Sequence, residues 1–384
     1  MYWLTHYWPR TYVMVATAAF MFALVGMPVA VWSLKRLRIL DDTAAHKIHA
    51  KPVPRGGGII MFFAFAAAVL LPGYRSAGMN GILIGAFICL CVGALDDFTG
   101  GIPGFWKLIT LVFVTLVLWR FGVRLNVFKF APFDIAFTLL WIVGVTSAFN
   151  GLDNMDGLAS GVSVIVSAVY FVIALQVYAT ARTETSLSWF GMLAMGLMGA
   201  NLGFLVFNSS PARIFMGDSG SFFLGFTLAA LGVMGEWTEN RIISCTIPIL
   251  ILGVPVFDFA YILIARVVRG ETRTIRQMID HCGMDHLSHR LVWIGFSKRN
   301  AVLFIYLLSL TLGVTGILLR NSTSLLDSSL ALFQGLAILA VVVILMASAA
   351  KRHIALVHDE VEKLNGMDAA ASTEEDAVFN RENR

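Results

Sequence analysis

The chain has 384 residues, of which 58% are hydrophobic and 14% are charged, with a formal net charge of +4. Soluble domains carry about 25% charged residues, and a mean hydropathy of +0.78 means more apolar surface than a water-soluble fold can bury. Composition therefore excludes a soluble globule, a disordered chain and a nucleic-acid-binding module, so no nucleic-acid partner is expected. Helices and closed barrels are the structures that satisfy their backbone in lipid, and apolar runs of spanning length are typical of helices. We predict an all-α polytopic membrane protein embedded in a lipid bilayer.

Apolar runs between charged or Pro/Gly-rich breaks predict about eleven transmembrane helices. In chain order they cover residues 11–34, 58–72, 79–95, 106–122, 134–149, 157–180, 188–207, 219–235, 242–264, 301–319 and 329–350. The first run has no basic segment before it and reaches full spanning length, which favours a membrane helix over a cleaved signal peptide. The three cysteines within these runs, Cys89, Cys91 and Cys245, are predicted to be buried, inert thiols.

The distribution of Lys and Arg predicts the orientation. If the N-terminus lies outside, about 20 of the 28 basic residues fall in the inner segments or at their interface. Positive charge marks the cytoplasmic side, so we predict an external N-terminus and a cytoplasmic C-terminus. Residues 1–350 then form a single integral membrane catalytic domain, and 351–384 form a polar, partly disordered cytoplasmic tail.

Every predicted inner segment except the tail contains a polar cluster, whereas the outer segments are short turns. The first inner segment reads HKIHAKPVPRGGG, in which Lys47, Lys51 and Arg55 are charged donors that can hold a phosphate. Its three glycines allow a backbone to approach a ligand closely. The alternative is an ordinary basic loop beside lipid headgroups.

Adjacent carboxylates end the third predicted span, in the sequence GALDDFTGG. Asp96 and Asp97 are costly at a membrane boundary unless they are hydrated, paired or bound to a metal. A nearby cation would lower their mutual repulsion, which favours a functional site. The alternative is a polar helix end, although acids oppose the helix dipole at a C-terminus.

The next inner segment, FNGLDNMDGLASG, contains Asn150, Asp153 and Asp156. Either aspartate could cap the helix that follows, but capping explains one acid and not the whole set. The motif D-x-x-D-G also begins the signature of CDP-alcohol phosphotransferases. That match stops after five residues, so we set it aside.

A fourth cluster lies in FNSSPARIFMGDSGS and includes Asn208, Phe215 and Asp218. The phenylalanine ring could stack on a nucleobase. A simple helix cap at Asp218 is the alternative.

The largest inner loop contains DHCGMDHLSHRL, with His286, His289 and Arg290 near its end. Together with His281 and Cys282 these residues could suggest zinc, but their spacing matches no known zinc signature. Binding of a diphosphate, or orientation of an acid, fits the imidazoles and the arginine better. Asp258, inside the ninth span, is a further functional candidate because it is an acid within the membrane.

These clusters, in this order, resemble the polyprenyl-phosphate N-acetylhexosamine-1-phosphate transferase family over about residues 40 to 295. The resemblance implies a fold of ten or eleven helices with its active site on the cytoplasmic face of the bacterial inner membrane. It implies that Asp96, Asp97, His286 and His289 are catalytic and that Asp218 ligates Mg²⁺, with Mn²⁺ as an alternative. It also implies substrate binding by Lys47, Lys51, Asn150, Asp153, Asp156, Asn208, Phe215 and Arg290. The spacing leaves open whether Lys47 or Lys51 is the family's first-loop lysine.

One position departs from the family pattern. The histidine-rich motif usually reads H-H-H or H-x-H-H, and here Ser288 occupies its middle position. The triple-histidine form is typical of phospho-N-acetylmuramoyl-pentapeptide transferases, so its absence favours enzymes that act on simpler sugars. The resemblance therefore points first to UDP-N-acetylglucosamine among the UDP-N-acetylhexosamines.

The implied reaction transfers N-acetylglucosamine 1-phosphate from the UDP-sugar to undecaprenyl phosphate and releases UMP. It would begin the synthesis of a cell-envelope polysaccharide, as in cell-wall or lipopolysaccharide assembly. Direct attack by the lipid phosphate is favoured over a covalent phosphosugar-enzyme, and a homodimer is expected by resemblance. The alternatives are the pentapeptide-sugar transferase reaction and, in a different class, a membrane transporter.

Overall fold

The structure is a computed structural model that describes residues 8–41, 52–128, 130–181, 188–234, 237–238, 240–272, 274, 277, 283, 285–350 and 352. Lys47 and Lys51 lie outside the described residues, as do His281, Cys282 and all of the predicted tail except Arg352. Within the described part of the chain, thirteen helices and one short two-stranded ribbon are present.

The first half of the chain contains five helices and the ribbon. In chain order these are α1 (Trp8–Arg36), β1 (Leu40–Asp41), β2 (Val53–Pro54), α2 (Gly58–Leu70), α3 (Ala77–Thr99), α4 (Gly104–Arg120) and α5 (Ala131–Leu152). The described residues of the second half contain eight helices. These are α6 (Leu158–Ala181), α7 (Ser188–Asn208), α8 (Gly217–Met234), α9 (Arg241–Ile251), α10 (Gly253–Val268), α11 (Leu287–Trp293), α12 (Lys298–Arg320) and α13 (Leu325–Ala350).

Each of the eleven predicted apolar segments contains a helix, which confirms a polytopic α-helical membrane protein. Among the described residues, eight helices are long and apolar enough to cross a bilayer, and α9 and α10 count as a ninth if this pair, bent by 88°, is one span. The helix α2 has 13 residues and α4 has 17, whereas a straight span needs about 20. The number of eleven spans therefore stays a prediction.

Helix α8 lies at the centre of the bundle. It packs against α3, α5 and α2, and almost all of its residues from Gly217 to Val233 are buried. In contrast, α1 and α13 expose large apolar side chains such as Val25 and Phe333. Apolar side chains on the outer helices match the hydrocarbon that surrounds a membrane protein.

The crossing of α3 and α8 depends on a small residue. A Cβ atom at Gly93 would lie only 2.3 Å from the backbone oxygen of Asp218 and 2.5 Å from the nitrogen of Ser219. Glycine therefore lets the two backbones touch, as small residues do between membrane helices. The aspartate pair at the end of α3 is thereby placed beside the first turn of α8.

The ribbon connects the first loop to the segment that precedes α8. Its two strands are antiparallel, with Leu40 opposite Pro54. Arg55 then forms an isolated bridge with Phe215, whose N–H donates to the Pro54 oxygen at 2.8 Å. This pairing fixes Arg55 close to the start of α8.

The cysteine prediction is correct in part. Cys89 is buried, but Cys91, two residues later, is exposed on the opposite side of α3, and Cys245 is half-buried. The expectation of a buried Cys91 is therefore wrong, because residues at i and i+2 of a helix point in different directions.

Candidate active site

Three carboxylates converge where α3 ends and α8 begins. Asp96, Asp97 and Asp218 each offer an oxygen, and these oxygens lie within 4.8 Å of one another. Asp96 and Asp97 are buried, and Asp218 is half-buried. The structure thus unites two clusters that are more than 100 residues apart in sequence, as the proposed site requires.

Asp97 accepts hydrogen bonds from the N-terminus of α8. The N–H of Asp218 donates to Oδ1 at 2.9 Å, and the N–H of Ser219 donates to Oδ2 at 3.0 Å. The preceding Gly217 has φ +70°, and a Cβ there would lie 2.4 Å from Asp97 Oδ2. Asp97 therefore provides the anion that a helix N-terminus favours, and Asp218 is not needed as the cap.

Two basic side chains neutralise the acidic cluster. Lys107 Nζ lies 2.7 Å from Asp96 Oδ1 and 2.5 Å from Asp218 Oδ2. Arg55 Nε lies 2.7 Å from Asp97 Oδ1, and its Nη2 lies 2.6 Å from Asp218 Oδ1. Both oxygens of Asp218 therefore contact a cation. Burial lowers the pKa of Arg55, but the three aspartates outweigh this effect and raise it overall.

The cluster has the donor chemistry of a magnesium site. Magnesium prefers carboxylate oxygens and is usually held by one or two carboxylates together with substrate phosphates. Asp218 faces the shared space with both oxygens, and Asp96 adds a second carboxylate. The cations drawn to these oxygens show that the site attracts positive charge, so the residues fit a divalent ion.

The last turn of α5 and the loop after it lie against the same cluster. The Asn150 amide donates to Ser221 Oγ at 2.9 Å and also hydrogen-bonds with Asp218. Burial and the charge of Asp218 raise the pKa of Asp153 to about 7. These contacts place Asn150 and Asp153 beside the acidic cluster, where the sequence predicted a substrate-binding element.

Asp156 and Asn208 form hydrogen bonds that hold the loop after α5 in place. Asp156 Oδ2 accepts the N–H of Ala212 at 3.1 Å. Asn208 is 2% exposed; its Oδ1 accepts the N–H of Gly157 at 3.0 Å, and its Nδ2 donates to the Ile214 oxygen at 2.9 Å. The expected substrate contacts of both residues stay predictions.

Phe215 lies between the ribbon and the acidic cluster. Its backbone oxygen accepts the N–H of Gly57 at 2.9 Å, and its side chain is half-buried. Backbone bonding on one side leaves part of the ring accessible, so its predicted stacking on a nucleobase stays a prediction.

The histidine segment is anchored by the acid inside the membrane. Asp258 of α10 is 3% exposed, and its Oδ2 lies 2.8 Å from His286 Nδ1. Its Oδ1 accepts the N–H of Leu287, also at 2.8 Å. Ser288 occupies the position where the family motif usually has a histidine. Its hydroxyl donates to Asn154 Oδ1 at 2.6 Å, which is a contact with the loop after α5.

His289 and Arg290 occupy different environments. His289 is half-buried, and burial together with nearby His286 lowers its pKa. Arg290 is 2% exposed and donates to the backbone oxygens of Asp285 at 2.6 Å and Met346 at 2.9 Å. Through these two contacts Arg290 joins α11 to α13, and its expected contact with a diphosphate stays a prediction.

The zinc alternative gains no support from its described members. Asp285 is held by Arg266 through two hydrogen bonds, of 3.1 Å and 2.6 Å, and His286 is held by Asp258. Burial raises the pKa of Asp285, but the hydrogen bonds and charge of Arg266 outweigh it and lower the pKa overall.

The sequence interpretation missed Lys107 as a member of the site. In the sequence analysis Lys107 counted only as one of the basic residues that predict the orientation. It lies in the first turn of α4, about ten residues after the aspartate pair. A lysine at the start of an apolar helix close to two carboxylates was the available signal. What it lacked was evidence that α4 folds back against α3.

Comparison with known proteins defines the class. The sequence pattern of glycosyl transferase family 4 matches residues 79–236, which contain the aspartate pair, the loop after α5 and the start of α8. A probable undecaprenyl-phosphate N-acetylglucosaminyl 1-phosphate transferase of Bacillus subtilis (strain 168) is 34% identical over 320 residues, covering 79% of this chain and 85% of the relative. The chain belongs to glycosyl transferase family 4.

Two further relatives show the breadth of this similarity. The decaprenyl-phosphate N-acetylglucosaminephosphotransferase of Mycolicibacterium smegmatis is 30% identical over 68% of this chain and 70% of its own length. The phospho-N-acetylmuramoyl-pentapeptide-transferase of Streptococcus gordonii is 33% identical over 60% of this chain and 76% of its own length.

Proposed function

We propose that this protein transfers N-acetylglucosamine 1-phosphate from UDP-N-acetylglucosamine to undecaprenyl phosphate and releases UMP, at the start of cell-envelope polysaccharide synthesis. The observation that carries the proposal is the convergence of three carboxylates with Arg55 and Lys107 at one end of the bundle. Joining a lipid phosphate to a nucleotide diphosphate brings two anions together, so it requires both positive charge and a proton acceptor.

The choice of sugar is supported by the relatives. The Bacillus subtilis and Mycolicibacterium smegmatis proteins, both named for N-acetylglucosamine phosphate transfer, match 79% and 68% of this chain. The pentapeptide transferase of Streptococcus gordonii matches 60%. Ser288 also favours N-acetylglucosamine, because it takes the place of the middle histidine that is typical of the pentapeptide transferases. Its side chain is bonded to Asn154.

In the proposed mechanism, Arg55 and Lys107 donate to the diphosphate of the sugar nucleotide. Asp218, with Asp96 beside it, would hold Mg²⁺, which when bound stabilises negative charge on the leaving UMP. These side chains can do so because they already meet at one point in the structure.

The proton acceptor in this proposal is Asp96. Asp97 accepts backbone N–H groups with both oxygens, whereas Asp96 Oδ2 has its described cationic neighbour, Arg55, only at 3.8 Å. Asp96 would take the proton of the lipid phosphate, whose oxygen then attacks the β-phosphorus of the UDP-sugar. The bond from that phosphorus to the UMP oxygen breaks, which yields undecaprenyl-diphosphate-linked N-acetylglucosamine and UMP.

The site is proposed to face the cytoplasm of a bacterial inner membrane. This agrees with the placement of about 20 of the 28 basic residues in inner segments, including Arg55 and Lys107. Eleven spans, an external N-terminus and a homodimer complete the proposal. Cysteine accessibility at each loop and the mass of the detergent-solubilised particle test these three points.

The test of the function is a direct assay of the lipid product. Purified protein in detergent is incubated with undecaprenyl phosphate, Mg²⁺ and, separately, UDP-N-acetylglucosamine, UDP-N-acetylgalactosamine or UDP-N-acetylmuramoyl-pentapeptide. Mass spectrometry is expected to show N-acetylglucosamine diphosphate-linked lipid. A product formed only with the pentapeptide nucleotide would contradict the sugar, and substrate uptake into proteoliposomes without any lipid product would support a transporter instead.

Direct attack is separated from a covalent intermediate by isotope exchange. Labelled UMP and UDP-N-acetylglucosamine are incubated with the protein in the absence of lipid acceptor. We expect no label in the UDP-sugar. Rapid exchange, with phosphosugar trapped on an aspartate, would contradict the one-step mechanism.

A further inference from the structure

His286 lies between an acid on one side and the last turn of α5 on the other. Its Nδ1 is 2.8 Å from Asp258 Oδ2, and the side chains of His286 and Asp258 are 15% and 4% exposed. A Cβ added to Gly151 would lie 2.6 Å from Cε1 and 3.1 Å from Nε2 of the ring. The edge of the imidazole that carries Cε1 and Nε2 is therefore turned towards the C-terminal end of α5.

The contact with Asp258 favours one tautomer of His286. Asp258 Oδ1 accepts the N–H of Leu287, and its Oδ2 lies 2.8 Å from Nδ1 of the imidazole. A carboxylate in its ionised form has no proton to donate, so across such a contact Nδ1 carries the proton, and in the neutral ring Nε2 is then a hydrogen-bond acceptor. Among the described residues, no protein group hydrogen-bonds with this Nε2.

The environment of Nε2 connects it to the active site. Gly151 follows Asn150, whose amide contacts both Ser221 and Asp218. Ser288 is bonded to Asn154 at 2.6 Å, which docks the start of α11 on the loop that follows α5. An acceptor on this edge faces the element that lies beside the acidic cluster.

We propose that Asp258 is a positioning residue that holds His286 as the Nδ1–H tautomer, so that Nε2 accepts a hydrogen bond from a hydroxyl or N–H group of the nucleotide sugar. This inference rests on the proposed function for the identity of the substrate. It gives the acid inside the membrane a role that needs neither transport nor zinc.

The tautomer is measured without any turnover. Full-length protein labelled with ¹⁵N-histidine is reconstituted in liposomes, and its solid-state ¹⁵N NMR spectrum is compared with that of His286→Asn, which removes the signals of His286. We expect the Nδ1–H tautomer in the unmodified protein. In Asp258→Asn the amide can still accept from Leu287 but now donates to the imidazole, so the Nε2–H tautomer is expected.

Kinetics test whether the tautomer matters. Asp258→Asn is expected to lower kcat/KM for the UDP-sugar by roughly 10- to 100-fold, the range for losing a group that orients a functional histidine. His286→Asn keeps a donor towards Asp258 but has no group at the Nε2 position, so it should lose at least as much. Asp285→Asn is the matched control, because this neighbouring acid binds Arg266 and should leave the tautomer of His286 unchanged.

The outcomes separate this inference from the function. If the unmodified protein forms lipid product but Asp258→Asn keeps its tautomer or its rate, the positioning role is wrong. If His286→Asn keeps full activity, the role of Nε2 is wrong. If no UDP-sugar yields lipid product, the proposed function fails, and the spectra of the unmodified protein and of Asp258→Asn still decide whether Asp258 sets the tautomer.

Discussion

Asp97 and Asp134 are both buried aspartates in the helical bundle, and each accepts two backbone N–H groups. Asp134, in the first turn of α5, receives them from Val127 and Phe128 at 2.9 Å and 3.0 Å, only seven and six residues earlier in the chain. Asp97 receives them from residues 121 and 122 positions later, and Arg55 lies 2.7 Å away. The two carboxylates are equally well bonded, but they serve different purposes.

The difference lies in what compensates the charge. Asp134 has hydrogen bonds to backbone groups of the turn beside it and no ion pair among the described residues, so it closes that turn. Asp97 lies among two further acids and two flexible cations. Side-chain cations can move from a carboxylate to a phosphate, and the carboxylate can then bind a metal ion. The backbone N–H groups of a local turn are fixed and cannot be exchanged in this way. A buried acid therefore indicates a site only where other charges converge on it.

The comparison predicts the largest loss of activity for Asp218→Asn. Both oxygens of Asp218 contact cations, and the substitution removes the negative charge that would hold Mg²⁺. We expect turnover to fall by about 10³-fold or more, as for loss of a central electrostatic group. Lipid-product formation at saturating UDP-sugar measures it, with circular dichroism as the control for folding. Turnover near that of the unmodified protein would remove Asp218 from the site.

Lys107→Gln tests whether the cations belong to the site. The lysine bridges Asp96 and Asp218, so its loss should leave both acids undercompensated and weaken diphosphate binding. We expect a decrease of about 10²-fold in kcat/KM. Arg120→Gln, at the other end of α4, is the matched control and should change little. Equal effects of the two substitutions would contradict a special role for Lys107.

Phe215→Ala tests the nucleobase contact. The hydrogen bonds of Phe215 to the ribbon use its backbone, so the substitution should keep Arg55 in place. Nucleotide binding is expected to weaken by about 1–3 kcal/mol, the range for bases that stack on aromatic rings. Calorimetric titration with UMP measures this, and Phe215→Trp should retain most of the affinity. Unchanged binding in the alanine variant would exclude stacking.

Asp153→Asn tests the charge balance through pH. Burial and Asp218 raise the pKa of Asp153 from 3.8 to about 7, so between these values the folded protein binds more protons than the unfolded chain. Stability should therefore fall as the pH rises through this window, and the asparagine variant should lose that part of the slope. Thermal unfolding in EDTA at pH 5 and pH 8 measures the difference. If stability depends on pH with the same slope in both proteins, neighbouring acids and burial do not raise the pKa of Asp153.

Asp134→Ala should leave catalysis unchanged. It removes the acceptor of two backbone N–H groups, which costs about 1–2 kcal/mol of stability for a lost cap. We expect a lower Tm but normal turnover at low temperature. A loss of turnover comparable to that of Asp218→Asn would contradict the purely structural role of Asp134.

Much of the site could be predicted from sequence, because each polar cluster is a local departure from an apolar background. Asp96, Asp97 and Asp218 were identified in this way, and the structure brings all three together. Local patterns did not reveal burial: Arg290 and Asn208, which are predicted to bind substrate, are both 2% exposed and bonded to the protein. Burial depends on distant helices that a motif does not contain.

Composition and hydropathy alone determined that this chain is a polytopic α-helical membrane protein, since hydropathy adds up residue by residue along the chain. The tertiary structure decided which charges meet. Close contact of α3 and α8 at Gly93, and of the ribbon at Phe215, brings Arg55 to Asp97 and Asp218. The pairing of Asp258 with His286 likewise follows from the docking of α11 on α10. Coulombic and hydrogen-bond energies depend on distances of a few ångströms, which helix packing sets and sequence separation does not.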